Sequence, residues 1–473
     1  MQRQSIWRSV APLISLVIGA SVFAQGDPLV IQKIIDSGRT NQESVRRLQY
    51  LTQEIGPRLT ASPNLDRSLR WAKQEMEKIG LQNIRLEKWG EYPMGWERGR
   101  NTIGRMVAPH RMDFNYTWPA WTEGTNGLVR GPVIITPRND EEFEGMKGRL
   151  KGAWILMPSR PDDPSYTRWE ASDLDNKVTE AGIAGRIWGS PDEYVRTHGN
   201  FRVDPNNLPK GTRVLVRKND FDALWVAANA GRNPVAEFDL PYRWVKGPIE
   251  NFNLVGEIPG TTKADEFVVL CAHIDSWDGP GSQGAADNAL GSIVALEAAK
   301  LILQSGARPE RTIRVALWTG EEQGLFGSIG YTEKHRDQID KHFAVLNEDS
   351  GPNPYFAMPG TAEMKPIIEQ AIAPLATAFP GMPVTFRVVQ DLGRGGSDHA
   401  PFNWVGVPGF QLQKRGSHNY RRIWHTQYDR FEEVDPVAMN QMITTLAVIA
   451  YNFSMQPEWL PRVRTGRPGA QNR

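Results

Sequence analysis

The chain has 473 residues, which is too long for one small domain and suggests either two domains or one large domain with an insertion. Hydrophobic residues make up 40% of it, enough for a sizeable core. The 55 basic residues balance 54 acidic ones, which argues against nucleic acid or an anionic membrane as the partner. Because Cys271 is the single cysteine, an internal disulfide is excluded.

The first 24 residues have the pattern of a secretory signal peptide. Arg3 and Arg8 precede a mostly apolar run from Val10 to Val22, and Ala24 offers a small residue for cleavage. A membrane anchor is the alternative, but the run is shorter than the roughly 20 residues that a span needs. The segment holds two arginines and no acid, so its removal lowers the basic count from 55 to 53 against 54 acids. We therefore expect a secreted or periplasmic protein without membrane attachment.

Two helices and one strand are predicted near the start of the mature chain. Thr40–Glu43 has the residue types of a capping box, and the apolar-periodic segment behind it ends at Gly56. Residues 65–79 repeat apolar side chains at helical spacing and end before Gly80, which is typical of an amphipathic helix with a C-terminal glycine. Residues 84–89 alternate like a strand.

Residues 125–246 are predicted to form a separate small α/β insert. Proline, glycine and aromatic residues interrupt the pattern at 115–127. Short strand-like pieces follow, "GPVIITP", "KGAWILMP", "TRVLVRK" and "NPVAEFDL", with the helix-like "DFDALWVAANAG" among them.

From residue 247 onward, longer strands alternate with helices. The predicted strands are 266–272, 312–318, 343–347 and 409–413, and the predicted helices are 289–305 and one that opens at Asp435–Pro436. The basic tail after residue 460 is predicted to be disordered. This alternation predicts a mainly parallel sheet that is covered by helices on both faces. Cys271 lies in an apolar strand, which indicates a core residue.

Histidine and acidic residues follow three of these predicted strands. They are His273 and Asp275 after the first, Glu321 and Glu322 after the second, and Asp349 after the third. In open α/β sheets ligands bind at the carboxyl ends of the strands. Each pair alone is an ordinary surface turn, but their convergence on one edge predicts a metal site, since imidazole nitrogen and carboxylate oxygen are usual zinc ligands.

Residues 273–288, "HIDSWDGPGSQGAADN", allow two interpretations. The three glycines spell G-x-G-x-x-G, which is typical of dinucleotide binding, whereas the histidine and aspartates are typical of a metal site. A dinucleotide fingerprint begins directly at the strand end, but here six residues intervene and the aspartates would repel a pyrophosphate. The metal interpretation is therefore favoured, with Asp275 able to fix the His273 tautomer and Asp287 able to bridge two ions.

At these motifs the chain resembles the co-catalytic zinc exopeptidases, the family of leucyl aminopeptidases, glutamate carboxypeptidase and, most similar, carboxypeptidase Q. The matching pieces are "IGPRLTASPNL", "HIDSWD", "RVALWTGEEQG" and "WHTQYDRFEEVDP". The resemblance spans essentially the whole mature chain. It implies a three-layer α/β/α zinc-peptidase domain with a mostly parallel mixed sheet, built from residues 25–124 and 247–460. Residues 125–246 would be a protease-associated-like insert that contributes specificity rather than chemistry.

The resemblance also implies two zinc ions per chain and a role for each site residue. The implied metal ligands are His273, Asp287 as the bridge, Glu322, Asp349 and His425. Glu321 would be the general base and Asp275 the orienting carboxylate. Ser397 and His399 lie in "GGSDHAPF", which resembles a family loop near the substrate pocket. The candidates for binding a substrate carboxylate are Arg394, Arg415, Arg421 and Arg422.

The implied activity is hydrolysis of short peptides from a free terminus, as a carboxypeptidase or dipeptidase. An aminopeptidase of the same family stays open, because the acids of the site could bind an α-amine. A glutaminyl-cyclase-like acyl transferase and a non-enzymatic receptor-like relative are two further candidates, and the complete ligand set opposes both. The chain has "ADNALG" where carboxypeptidase Q-like chains tend to have Asp-Asp-Gly, so side-chain specificity is not carried over. A homodimer is left open.

Overall fold

The computed structural model describes residues 26–157 and 173–468. The predicted signal peptide, residues 1–24, lies outside this part of the chain. Within it, no helix is both long and apolar enough to cross a bilayer. The predicted α/β fold class is confirmed, with a mixed six-stranded central sheet, an eight-stranded second sheet and a small three-stranded sheet.

The strands and helices are numbered in chain order. The strands of the described ranges are β1 (Gln82–Arg98), β2 (Ile103–Ala108), β3 (Met112–Asp113), β4 (Tyr116–Thr117), β5 (Val129–Ile135), β6 (Trp154–Leu156), β7 (Gly185–Gly189), β8 (Thr212–Val216), β9 (Val235–Asp239), β10 (Tyr242–Ile258), β11 (Lys263–His273), β12 (Arg311–Trp318), β13 (His342–Asn347), β14 (Tyr355–Gly360), β15 (Thr385–Val388), β16 (Gly409–Gln411) and β17 (Gln413–Lys414). The α-helices are α1 (Pro28–Arg39), α2 (Glu43–Gln49), α3 (Pro63–Ile79), α4 (Asp140–Leu150), α5 (Asp173–Glu180), α6 (Lys218–Asn229), α7 (Leu290–Gln304), α8 (Phe326–Lys334), α9 (Lys365–Ile372), α10 (His399–Val405), α11 (Tyr420–Ile423) and α12 (Pro436–Met455).

The central sheet has the strand order β1-β10-β12-β11-β13-β16. β12, β11, β13 and β16 are parallel, while β10 is antiparallel to both of its neighbours. Successive residues of β11 alternate between two cores: Val268 and Leu270 pack with α7 and α12, whereas Val269 and Cys271 pack with α8 and α10. The sheet is thus covered on both faces, as the unbroken apolar runs predict.

A second sheet has the order β3-β2-β9-β5-β6-β7-β8-β4 and its own apolar core. The two long strands β1 and β10 pair along their length and form an antiparallel ribbon that leads from the central sheet into it. Its strands begin at Ile103 and end at Asp239, so they lie on both sides of the boundary expected at residue 125. We call Ile103–Asp239 the second-sheet region; the boundaries 125–246 stay a prediction.

Several local predictions are confirmed. Helix α3 begins at Pro63 after the N-cap Ser62 and ends at Gly80 in a left-handed conformation. Asp435 caps α12, since its side chain accepts a hydrogen bond from the backbone N–H of Val437 at 2.8 Å.

Two predictions near the chain ends are wrong. Thr40 follows the end of α1 and caps nothing with its side chain; instead Asn41 Oδ1 accepts from the N–H groups of Glu43 and Ser44. Part of the tail expected to be disordered, residues 461–468, is bound to the surface. Arg462 Nη2 donates to the carbonyl of His342 at 2.6 Å, and Thr465 N donates to that of Asn403 at 3.0 Å. Composition alone does not show such backbone contacts.

Candidate metal centre

Three parallel strands place the predicted site residues at one edge of the central sheet. β11 ends at His273 itself, Glu321 and Glu322 follow the end of β12, and Asp349 follows the end of β13. Because β11 lies between β12 and β13, His273 lies at the centre of the group. The structure therefore brings these residues together as the sequence predicts.

Asp287 and His425 complete the group from loops outside the strands. Asp287 lies just before α7, and His425 lies just after α11. Asp287 Oδ1 is 3.3 Å from His273 Nε2, and Asp287 Oδ2 is 3.4 Å from His425 Nε2. His425 Nε2 is also 2.9 Å from Glu322 Oε2. One carboxylate thus faces both histidines, which is the placement that a ligand bridging two ions requires.

On the other side of His273 lie Asp349 and Glu321. His273 Nε2 is 3.8 Å from Asp349 Oδ2 and 3.9 Å from Glu321 Oε2. The ligand atoms of these three residues lie within 4.8 Å of one another, and so do those of His273, Asp287 and Glu322. Since each glutamate belongs to one such group, distances alone do not separate a ligand from a base. Those two roles stay predictions.

The residues present fit a divalent cation. His273 Nε2 and Asp287 Oδ2 are buried and have no hydrogen-bond partner among the described residues. An unpaired buried polar atom costs free energy, so such atoms are rare unless something binds them. Both atoms belong to the same group of imidazole and carboxylate ligands, and that donor set suits zinc.

The pKa values of the group reflect a buried excess of acid. Burial raises the pKa of Glu321 well above its usual range, although the His273 ring opposes this. Burial, and then the charge of Asp287, does the same for Glu322. Burial also opposes protonation of His273, but the carboxylates around it, Glu321 first, raise its pKa well above its usual range. Bound cations would relieve this repulsion.

Asp275 acts on the loop of the glutamates more than on the imidazole. The nearest Asp275 atom to His273 Nδ1 is the backbone carbonyl oxygen at 3.1 Å, while Oδ1 is 3.7 Å away. The carboxylate accepts from Thr60 Oγ1 at 3.0 Å and from the N–H groups of Glu321 and Glu322 at 3.4 Å each. The closest contact of Asp275 with the ring is thus made by its main chain, and the orienting role of its carboxylate stays a prediction.

The glycines of the loop Ile274–Gly284, the glycine-rich loop, make room for neighbouring protein. A Cβ on Gly279 would lie 2.1 Å from Thr197 Oγ1, and one on Gly284 would lie 2.3 Å from Ser276 Oγ. Gly284 also has φ +59, which favours glycine. The G-x-G-x-x-G spacing therefore serves close packing of this loop.

Ser397 and His399, the predicted substrate contacts, are both buried, and their contact with substrate stays a prediction. Ser397 is fully buried and its hydroxyl accepts from Asn347 Nδ2 at 2.9 Å. Burial would raise the pKa of Asp349, but the nearby His273 ring and a hydrogen bond from Ser397 hold that pKa below its usual range. Burial lowers the pKa of His399 to about 4. Ser397 thus orients a candidate ligand.

The four arginines proposed for a substrate carboxylate are exposed. Two of them stack on aromatic rings: Arg415 lies 4.2 Å from the ring centre of Phe356, and Arg422 lies 4.0 Å from that of Tyr428. The exposed arginines are Arg394, Arg415, Arg421 and Arg422.

Arg58 is a supporting residue to which the sequence assigned no role. It is fully buried and donates to the carbonyls of Ile274 at 2.6 Å, Gln283 at 3.1 Å and Gly284 at 2.6 Å. Burial lowers its pKa to about 10, although nearby aspartates oppose the shift. It therefore ties both ends of the glycine-rich loop together. The motif "IGPRLT" contained it, but nothing in the motif indicates where a buried guanidinium points.

Asp429 is a second supporting residue without a predicted role. Its Oδ1 accepts from the N–H of Ala286 at 2.6 Å, and its carbonyl accepts from the N–H of Gln283 at 2.8 Å. It thereby connects the loop of His425 to the segment just before Asp287. Its place four residues after His425 is the signal that could have indicated it.

Comparisons with known proteins confirm the resemblance and the fold. Residues 253–450 match Peptidase family M28. The chain is 27% identical over 438 residues to carboxypeptidase Q of Mus musculus, covering 90% of this chain and 88% of that protein. It superposes on a peptidase M28 precursor from Shewanella amazonensis with a TM-score of 0.66 at 23% identity, covering 92% of this chain and 98% of that one. For the zinc aminopeptidase of Bacillus subtilis the TM-score is 0.56 at 20% identity, covering 86% and 94%.

Proposed function

Because residues 253–450 match peptidase family M28, we propose that this protein is an exported two-zinc exopeptidase that hydrolyses short peptides from a free terminus. The observation that carries the proposal is the position of Asp287 between His273 and His425, 3.3 Å and 3.4 Å from their Nε2 atoms. A buried carboxylate that faces two histidines suits a pair of ions about 3.5–4 Å apart. The similarity to carboxypeptidase Q over 90% of the chain supports the same activity.

The ligand roles follow from the two sides of Asp287. His273, Asp287 and Asp349 would hold one ion, and Asp287, Glu322 and His425 the other. Zinc, when bound, lowers the pKa of water and polarises the scissile carbonyl. The chain fixes its ligands beforehand: the N–H of Trp277 donates to Glu322 Oε1 at 3.1 Å, and Ser397 orients Asp349.

Glu321 is proposed as the general base because its neighbour is already engaged. Glu322 contacts His425 at 2.9 Å and the Trp277 N–H, whereas the nearest site nitrogen to Glu321 is His273 Nε2 at 3.9 Å. The Glu321 side chain is 13% exposed, so it can meet a substrate in the site. It takes a proton from the attacking water and passes it to the leaving amine.

The aromatic core of the second sheet reaches the site at Trp277. The ring of Trp277 lies 6.1 Å from that of His425 and 6.3 Å from that of Trp121, and Tyr92 stacks on Phe201 at 4.1 Å. Trp121 and Phe201 belong to the second-sheet region. This region can therefore limit the space for substrate, which favours short peptides over folded chains.

An aminopeptidase is the second candidate, and one observation favours it. The site is rich in carboxylates, which suit a substrate α-amine, whereas the four arginines proposed for a substrate carboxylate are exposed. The two directions therefore differ in the terminus that must be free.

A panel of dipeptides and tripeptides with free, N-acetylated or C-amidated ends tests both. A carboxypeptidase cleaves the acetylated peptides and not the amidated ones, an aminopeptidase does the reverse, and a dipeptidase needs both ends free. Absence of hydrolysis of every peptide by the zinc-loaded protein would overturn the proposed function. Formation of pyroglutamate without hydrolysis would indicate an acyl transferase instead.

Export and partners complete the proposal. The signal-like start and the near-neutral charge support a secreted or periplasmic protein with cleavage near Ala24, and with neither nucleic acid nor membrane as partner. N-terminal sequencing of the exported protein tests the cleavage. A homodimer is compatible with this activity and is tested by sedimentation.

A further inference from the structure

A short segment of the second-sheet region, Tyr194–Thr197, is bound to the loop that carries His425. The N–H of Thr197 donates to the carbonyl of His425 at 2.8 Å, and Arg196 forms an antiparallel bridge with Thr426. The residues joined by these contacts are more than 200 positions apart in the sequence. The contacts therefore connect two regions that are distant along the chain.

The side chain of Arg196 strengthens the same contact. Its Nη2 donates to the carbonyl of Arg421 at 3.0 Å, and its guanidinium lies 5.4 Å from the ring centre of Trp424 and 4.9 Å from that of Tyr194. The segment thus contacts the His425 loop before and after the histidine.

The backbone of His425 needs such support. Its φ is +60, a left-handed conformation that is uncommon for a residue with a side chain. Residues in such conformations persist where the surrounding structure determines them. The hydrogen bond from Thr197 ends on the carbonyl of this same residue, so it acts directly on the strained unit.

The same segment also contacts the glycine-rich loop. Thr197 Oγ1 lies 2.1 Å from the position that a Cβ on Gly279 would take, and it shares a hydrogen bond of 2.9 Å with Thr117 Oγ1. Thr197 is therefore packed between the loop that precedes Asp287 and the loop of His425.

We propose that Tyr194–Thr197 is a positioning element for His425, so that the second-sheet region sets the affinity of the zinc site built from Asp287, Glu322 and His425. This inference rests on the proposed function. The segment supplies no ligand; it fixes the main chain of one. The site of His273 and Asp349, which lies at the ends of core strands, should not depend on it.

The test compares Thr197→Pro with Thr197→Val in the full chain. Proline removes the N–H that His425 accepts from, whereas valine keeps it and removes only the hydroxyl. Zn²⁺ affinities of both sites are measured by chelator competition, with His425→Ala identifying the site to which each constant belongs. We expect Thr197→Pro to weaken only the His425 site, by roughly 10–100-fold, the usual effect of losing an outer partner of a metal ligand.

Arg196→Ala repeats the test with every backbone group intact, and it should weaken the same site. Thermal unfolding of the metal-free variants is measured alongside, because a merely structural contact would lower stability without changing the ratio of the two affinities. If wild type binds two ions and both variants bind them as tightly as Thr197→Val, the inference is overturned while the proposed function stands. If wild type binds no zinc, the proposed function fails, and this inference with it.

Discussion

His273 and His425 face the same carboxylate from regions that are built differently. His273 ends a strand whose last seven residues are all buried, and its side chain is 1% exposed. His425 lies on a loop with a left-handed backbone, and its side chain is 17% exposed. The first position follows from the hydrogen bonding of a parallel sheet, whereas the second depends on contacts that other loops make with it.

This difference indicates which of the two histidines can move more easily. Moving His273 would require breaking the hydrogen bonds of β11 with β12 and β13. The sheet itself therefore fixes the position of His273. Moving His425 would require the loss of contacts between loops, among them the hydrogen bonds of Asp429, Thr197 and Arg196. We therefore expect substitutions that contact the His425 loop to lower metal affinity more than stability. Substitutions that support the strand end at His273 should lower stability more than metal affinity.

The largest expected effect concerns Glu321, one of the two adjacent glutamates of the site. Glu321→Gln keeps size and hydrogen-bonding oxygen but cannot accept the proton of water. Turnover should fall by roughly 10²–10⁴, the usual contribution of a general base, or about 3–5 kcal/mol of barrier, with zinc content near that of wild type. Steady-state kinetics and metal analysis on the same sample measure both.

Glu322→Gln is the matched control, since it changes the neighbouring residue in the same way. It should lower zinc affinity at the His425 site first and activity as a consequence. Loss of zinc from Glu321→Gln with retention by Glu322→Gln would mean that the two roles are reversed. Retention of zinc and substantial turnover by both would exclude either as the base.

The second-largest expected effect concerns Arg58, which supports the glycine-rich loop that follows His273. Arg58→Met keeps much of the volume but removes the guanidinium that donates to the carbonyls of Ile274, Gln283 and Gly284, of which Gly284 keeps a second donor in the N–H of Ala289. We expect the free energy of unfolding, from urea titration, to fall by roughly 3 kcal/mol. The control Arg67→Met, at an exposed arginine nearby, should stay within about 0.5 kcal/mol of wild type. A loss below about 1 kcal/mol for Arg58→Met would show that water replaces the guanidinium.

The parts of the fold that follow from local pattern could be predicted. The buried runs at β11, β12 and β13 indicated their strands, and the rule that ligands gather at carboxyl strand ends predicted that His273, Glu321 and Asp349 lie together. Asp287 was singled out by its place in the loop after β11, but His425 came from the family resemblance, because no local pattern relates it to a residue 138 positions earlier.

What could not be predicted depends on long-range contacts of single atoms. Ser397 lies in a loop that suggested substrate contact, but its burial and its bond with Asn347 are properties of the folded chain. The close approach of Thr197 to Gly279 explains a glycine whose spacing resembled a nucleotide motif. Short, weakly periodic strands likewise carried no signal for the start of the second sheet at Ile103.

The smallest expected effect concerns Glu87 on β1, the edge strand of the central sheet. Glu87 on β1 accepts from His335 Nε2 at 2.9 Å and from Arg85 Nε at 2.8 Å. Burial alone would raise its pKa, but the His335 hydrogen bond and the charges of His335 and Arg85 lower it to about 2 from the usual 4.5. Because the folded pKa is the lower one, this carboxylate stabilises the fold above pH 4.5 and loses that contribution as the pH falls towards 2.

Glu87→Gln should therefore lower the free energy of unfolding of the metal-free protein by about 1–2 kcal/mol at pH 7, a value reduced for partial solvent screening. The gap between wild type and variant should narrow as the pH falls from about 4.5 towards 2, since wild type then loses the same charge. Glu91→Gln, at an exposed carboxylate of the same strand, is the control and should show no such gap at either pH. A gap that persists at the acid end would mean that Glu87 stabilises β1 by packing rather than by charge. Zinc affinity should be unchanged in both variants, because β1 lies at the edge of the sheet and two strands separate it from β11. A change in zinc affinity would mean that the edge strand, and not only the loop of His425, controls metal binding.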